Sequence, residues 1–129
     1  MLCIESHQPR TACSASLVAC HGALRAVQLS ECSASVVGGL NMMFTSSFGS
    51  LMAMAGMTSA MGRSFTFDKR ADGYARGEAI DAVACRLEVG RAVTTAGSAV
   101  RQDGRSASLT APNGQAQRGV LVAAWADAR

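Results

Sequence analysis

Cys13 is the residue whose type and setting speak most directly of chemistry. It stands in TACSAS, Thr11 to Ser16, immediately ahead of a helical pattern. Small residues on both sides leave the sulfur approachable, and the start of a helix presents unpaired backbone N–H groups and a partial positive charge. Such a setting favours thiolate over thiol, and the thiolate is the nucleophile. Two readings stand on the residues alone: a nucleophile, or the small buried hydrophobe that most cysteines are.

A cysteine nucleophile usually works with a histidine within hydrogen-bond reach. This sequence has only His7 and His21. His21 lies eight residues beyond Cys13, which along one helix is roughly 12 Å, too far for a partner. His7 falls in an irregular leader, and no pattern brings it back. A self-contained Cys/His hydrolase is therefore disfavoured. The five cysteines (Cys3, Cys13, Cys20, Cys32, Cys85) contain no CxxC pair, so neither a metal site nor an evenly paired disulfide framework is expected. Reduced thiols, and a start (MLCIESHQPR) without a secretory pattern, lead to a cytoplasmic expectation.

The elements that must hold Cys13 follow from periodicity. Leu17, Cys20, Leu24 and Val27 step by three and four, which predicts a helix of about four turns from near Ser14. Ser33 to Leu40 (SASVVGGL) reads as a strand covered on both faces. Leu51 to Met57 (LMAMAGM) favours helix, with SAMGR as its stop. SFTFD alternates and predicts a brief extended segment. Asp72-Gly73 signals a turn that opens an extended region through Leu87. Ala92 to Val100 is β-branched enough for a further strand, ended by QDGR. Thr110, Pro112 and Gly114 announce a final helix with the stripe Val120, Leu121, Ala124 and Trp125, and Asn113 with Gly114 reads as a turn. Alternating helices and strands give an α/β class with a buried sheet.

Composition sets the outer bounds. The 129 residues fit one ordinary domain or a piece of a larger one. With 49% hydrophobic and 16% charged residues the chain is not a disordered tail. Its net charge of +3 is scattered singly, which gives no nucleic-acid surface. Cys32 to Gly62 lacks charge, but glycines and polar residues break it well short of a membrane span; no membrane partner is expected.

TACSASLVACHGAL, then VVGGLNMM, then AGMTSAMGRSFTFDKRADGYARGEA, then GSAVRQDGRSASLTAPNGQAQ occur in that order. Together they resemble the middle of a β-ketoacyl synthase (ketosynthase) domain of type I polyketide synthases and related fatty-acid synthases. The resemblance runs from residue 11 to 129 and leaves residues 1–10 as an unmatched leader. It implies a partial thiolase-like fold, a fragment of the N-terminal half and beyond of such a domain. It also implies that Cys13 takes an acyl chain, as a thioester, from a phosphopantetheine on an acyl carrier protein, for decarboxylative Claisen condensation. No cofactor is expected to be bound, and a homodimer is implied.

The family's two histidines, in HGTGT-like and NxGH-like motifs, lie downstream of the segment matching TAPNG, so the chain resembles an internal slice. An inactive remnant or a structural subunit of the same fold is the alternative. The matching loop lies near the family's acyl pocket, which makes Phe67 and Tyr74 substrate-binding candidates. Phe65, Asp68, Asp72, Gly73, Arg76, Gly77 and Glu78 read more simply as support. Methionines 42, 43, 52, 54, 57 and 61 suit a core better than an acyl tunnel. Asp81 puts a charge into an apolar strand, a cost unless it is paired or exposed.

Overall fold

A computed structural model describes residues 9–87, 93–108 and 111–128. A single 3-10 turn, Ala12–Ser14, leads into helix α1, Ala15–Gln28; strand β1, Ala34–Asn41, helix α2, Ser46–Met54, strand β2, Ala79–Arg86, and helix α3, Gly114–Asp127, follow. The described residues up to 37 and from 83 onward form one unit, and residues 38–82 a second.

In the first unit α1 begins where the small-residue stretch gives way to the apolar stripe. Its covered face deepens along the helix: Leu17 is exposed, Cys20 and Leu24 are half-buried and Val27 is buried. The helix stops at a Schellman turn, in which the Ser30 N–H donates to the Val27 carbonyl and the Glu31 N–H to the Ala26 carbonyl. That turn requires a left-handed residue, and Ser30 supplies it at φ 62°. Glycine takes this conformation without the Cβ penalty of about 1 to 2 kcal/mol. Ser30→Gly is therefore expected to stabilise the last turn of α1 by about 0.5 to 1 kcal/mol once glycine's extra unfolded-state freedom is set against it. Slower amide exchange at Leu29 and Glu31 is the readout.

Strands β1 and β2 pair as a two-stranded sheet. Asn41, last in β1, donates its side-chain amide to the carbonyl of Gly77, just ahead of β2; the end of one strand thus meets the start of the other, and the pair runs antiparallel. β1 is not covered on both faces, as its sequence suggested. Val37 is buried while Val36 and Leu40 point to solvent. Helix α1 lies on the Val37 face, where the Ser35 hydroxyl donates to the Ala23 carbonyl at 3.3 Å. Asp81 is exposed, which removes the cost of a charge in an apolar strand.

Residues 93–100 form no strand despite their β-branched composition. The backbone groups of Ser98 are taken by side chains instead. The Ser98 N–H donates to Asp127 Oδ2 at 2.9 Å and the Ser98 carbonyl accepts from Arg25 at 3.1 Å. Next to it, Gly97 lies against the α3 backbone so closely that a Cβ would stand 2.4 Å from the Ala124 carbonyl oxygen. A helix approached this tightly must present small residues, which explains why the expected α3 stripe is rotated. Ala116, Gly119, Val120, Ala123 and Ala124 are half-buried, whereas Leu121 and Trp125 are exposed. Asn113 is the N-cap of α3 rather than part of a plain turn: its side-chain oxygen accepts from the N–H groups of Gln115 and Ala116 at 3.0 and 3.1 Å.

In the second unit α2 starts at Ser46, five residues before the LMAMAGM run, after extended Thr45. It ends in another Schellman turn, with Gly56 at φ 67° and the Met57 N–H on the Met52 carbonyl. SFTFD is not extended either. Phe65 and Phe67 are both left-handed, at φ 44° and 60°, and the Asp68 N–H closes a turn onto the Phe65 carbonyl at 2.9 Å. Asp68 holds that turn by accepting from both the backbone and the guanidinium of Arg70, contacts that keep its carboxyl below the usual carboxylate range. The methionines do not form a core: Met54 and Met61 are largely exposed, as in part are Met43 and Met57. Among the described residues only Val27, Cys32 and Val37 are buried hydrophobics, and no helix is long and apolar enough to cross a membrane.

Candidate active site

Cys13 sits in the 3-10 turn that abuts α1 and is exposed. The turn is made by Ala12, whose φ of 54° places a residue with a Cβ in the left-handed region. Strained single residues of this kind concentrate at sites where a side chain must be aimed. Thr11 anchors the bend: its carbonyl accepts from the Ser14 N–H at 3.4 Å and from the Ser14 hydroxyl at 2.9 Å. Ser14 turns its hydroxyl back to Thr11 and does not cap α1, whose first turn also holds no acidic residue. The positive end of the helix is thus left uncompensated beside the Cys13 sulfur. That arrangement sets an exposed thiol at the start of α1, where no side chain caps the first backbone N–H groups.

His21 is occupied elsewhere: its Nδ1 lies 2.9 Å from the Ser98 hydroxyl. It belongs to a polar clip that joins α1, residues 97–98 and α3. Arg25 pairs with Asp127 at 2.5 Å and reaches the Ser98 carbonyl, while Asp127 accepts from the Ser98 N–H. Isolated charges far apart in sequence gave no sign of this clip. The Arg25 guanidinium, with the Ser98 N–H and the nearby His21, holds the Asp127 carboxyl below the usual carboxylate range. A carboxyl depressed on folding contributes stability above its unfolded pKa, about 3.9, and loses it as pH falls through the lower folded value. Helical circular dichroism of the chain is accordingly expected to fall with acid below about pH 4, and Asp127→Asn to have a lower signal at neutral pH with a flatter acid limb.

Phe67 and Tyr74 lie in the second unit, Cys13 in the first. Phe67 is fully exposed and Tyr74 about half so. Tyr74 is fixed through its backbone, as Thr58 and Tyr74 form a parallel bridge with the Tyr74 N–H on the Met57 carbonyl and the Ser59 N–H on the Tyr74 carbonyl, both at 3.0 Å. Around them the charged residues serve the scaffold. Arg76 stacks over the Phe48 ring at 5.1 Å and the Glu78 carboxylate accepts from the Met43 N–H. Among the described residues no three His, Cys, Asp or Glu side chains gather to hold a metal ion. His7 lies outside the described residues.

Residues 5–86 match the family model of the β-ketoacyl synthase N-terminal domain. The chain is 41% identical over 123 residues to the highly reducing polyketide synthase VdtX of Byssochlamys spectabilis, covering 90% of this chain and 6% of that protein. It is 39% identical over 122 residues to the polyketide synthase ThaG of Burkholderia thailandensis, covering 89% of this chain and 2% of that one. Among solved structures it superposes on the oxazolomycin ketosynthase domain OzmH KS7 of Streptomyces albus JA3453 with a TM-score of 0.83 and 30% identity, over 90% of this chain and 22% of that chain. The module 6 ketosynthase of the bacillaene synthase from Bacillus subtilis 168 gives a TM-score of 0.76 at 30% identity, over 84% and 21%. The sequence thus spans a small part of each relative. The bend at Ala12, the helix behind Cys13 and the strand pair are elements of a thiolase-like fold, and the chain belongs to the β-ketoacyl synthase family, as part of a ketosynthase domain of the polyketide synthase kind.

Proposed function

We propose that Cys13 receives an acyl chain as a thioester, the first half-reaction of chain extension in polyketide or fatty-acid assembly. The observation that carries this reading is the exposed Cys13 on the left-handed Ala12 bend, against the uncapped start of α1. The Cys13 thiolate attacks the carbonyl of an acyl thioester carried by phosphopantetheine on an acyl carrier protein. The backbone N–H groups at the helix start stabilise the oxyanion. Collapse expels the pantetheine thiolate, which takes up a proton, and leaves the acyl group on sulfur. Phe67 and Tyr74 are proposed as further substrate-binding residues, as the family resemblance implies. The later decarboxylation and condensation draw on the family's two histidines, which neither His7 nor His21 matches. A cytoplasmic homodimer is the proposed working form.

The test is acyl transfer from a short acyl-pantetheine thioester, followed by mass spectrometry of the peptides. Acylation of Cys13 ahead of Cys20, Cys32 and Cys85 supports the reading; equal acylation of all four sinks it. One observation favours a second reading, a non-catalytic interaction subunit. Leu121, Val122 and Trp125 are exposed within about one turn of α3, an adjoining apolar surface of the kind that marks an interface. Equal acylation together with tight association with a ketosynthase partner would select it.

A further inference from the structure

Cys20 and Cys85 are distant in sequence, yet the fold brings both toward the place where α1 meets the strand pair. β1 and β2 are eight residues each, and pairing them antiparallel from end to end sets Cys85 opposite Ser35. Directly opposed residues share a face of the sheet, and the Ser35 hydroxyl on that face donates to the Ala23 carbonyl of α1. Cys20 precedes Ala23 by three positions, hence on the same side of α1, and is half-buried. Burial along β2 agrees: of Ala79–Arg86, Cys85 alone is not exposed. The helix lying over that spot is α1.

We propose that Cys20 and Cys85 are a redox pair that closes to a disulfide when the chain meets a small-molecule disulfide, stapling the helix that begins beside Cys13 to the sheet. The exchange balances in two steps. The Cys20 thiolate attacks a sulfur of the small disulfide, breaking its S–S bond, forming a mixed disulfide and releasing one thiolate, which is protonated. The Cys85 thiol then loses its proton and attacks the Cys20 sulfur, forming the Cys20–Cys85 bond and releasing the second small thiol. The two cysteines are oxidised and the reagent is reduced to two thiols. The order follows from Cys85, whose thiol is pushed up first by burial and then by the charge of a Cys20 thiolate. The same interaction places the two sulfurs within electrostatic reach.

The experiment treats the chain with glutathione disulfide under native conditions and, in parallel, in denaturant, then alkylates the remaining thiols and digests with trypsin. The expected product links the peptide of residues 77–86 to the peptide of residues 11–25. Fragmentation assigns the latter bond to Cys20 rather than Cys13, and the native yield exceeds the denatured yield at least several-fold. The link should be lost in both Cys20→Ser and Cys85→Ser. Alkylation of Cys20 and Cys85 as free thiols, glutathione adducts on both in place of a link, or equal yields with and without denaturant would each overturn the proposal.

Discussion

Cys13→Ala is expected to abolish acyl transfer from an acyl-pantetheine thioester, a loss on the order of 10³-fold or more, because the proposed covalent route disappears with its thiol. Structure and chemistry separate cleanly at this position. Cys13 is exposed, and substitutions at exposed positions without a special contact usually change stability by no more than about 0.5 kcal/mol. The circular dichroism of the variant should therefore match that of the parent. Cys13→Ser tests the point differently: its hydroxyl keeps the shape but is scarcely ionised at neutral pH, so acyl transfer should also fall steeply. Cys32→Ser serves as the contrast, since it removes a buried thiol on the loop after α1; it should lower stability and leave the acylation of Cys13 in the folded fraction in place. Residual acylation in Cys13→Ala at the parental rate would mean that another thiol carries the activity.

Gly73→Ala carries the largest expected structural effect. Gly73 has φ 146°, and a Cβ there would stand 2.5 Å from the Ser59 nitrogen, 2.5 Å from the Thr58 carbonyl carbon and 2.8 Å from the Met57 carbonyl oxygen. All three are backbone atoms, which cannot swing aside as a side-chain tip can. The substitution must pull the 57–59 and 73–74 segments apart and break the hydrogen bonds on either side of Tyr74. Unfavourable backbone geometry costs roughly 1 to 3 kcal/mol and overpacking a similar amount, so a destabilisation of about 3 kcal/mol or more is expected. Amide exchange at Ser59 and Tyr74 should accelerate on the order of 100-fold, at about tenfold for each 1.4 kcal/mol. Gly77→Ala is the control, having nothing within 4 Å of its Cβ position and no left-handed φ. Unchanged exchange in Gly73→Ala would refute the close approach.

Asp72-Gly73 read as a turn and the chain bends at Gly73, but the stronger demand on Gly73 comes from a chain segment that local pattern does not reveal. The same division runs through the molecule. The start of α1, the position of β1 and the place of Cys13 ahead of α1 all follow from spacing within a few residues, and these were readable. Residues 93–100 looked like a strand because β-branched side chains favour one, yet Arg25 and Asp127 claim the Ser98 backbone. Phe65 and Phe67 looked extended because they alternate with polar residues, yet the Asp68–Arg70 pair closes a turn there. The α3 stripe was misplaced for a related reason: hydrophobicity picked Leu121 and Trp125, whereas close contact with Gly97 selects alanine and glycine. For the candidate site, Cys13 was named from its neighbours, while the left-handed Ala12 that aims it carries no compositional signal.

Three buried hydrophobic residues among those described also shape the energetics of melting. Heat-capacity change and denaturant sensitivity both scale with the area that unfolding newly hydrates. Where Val36, Leu40, Leu121 and Trp125 are already wet in the native state, little remains to be hydrated. The chain's stability curve should then be shallow and its thermal transition gradual.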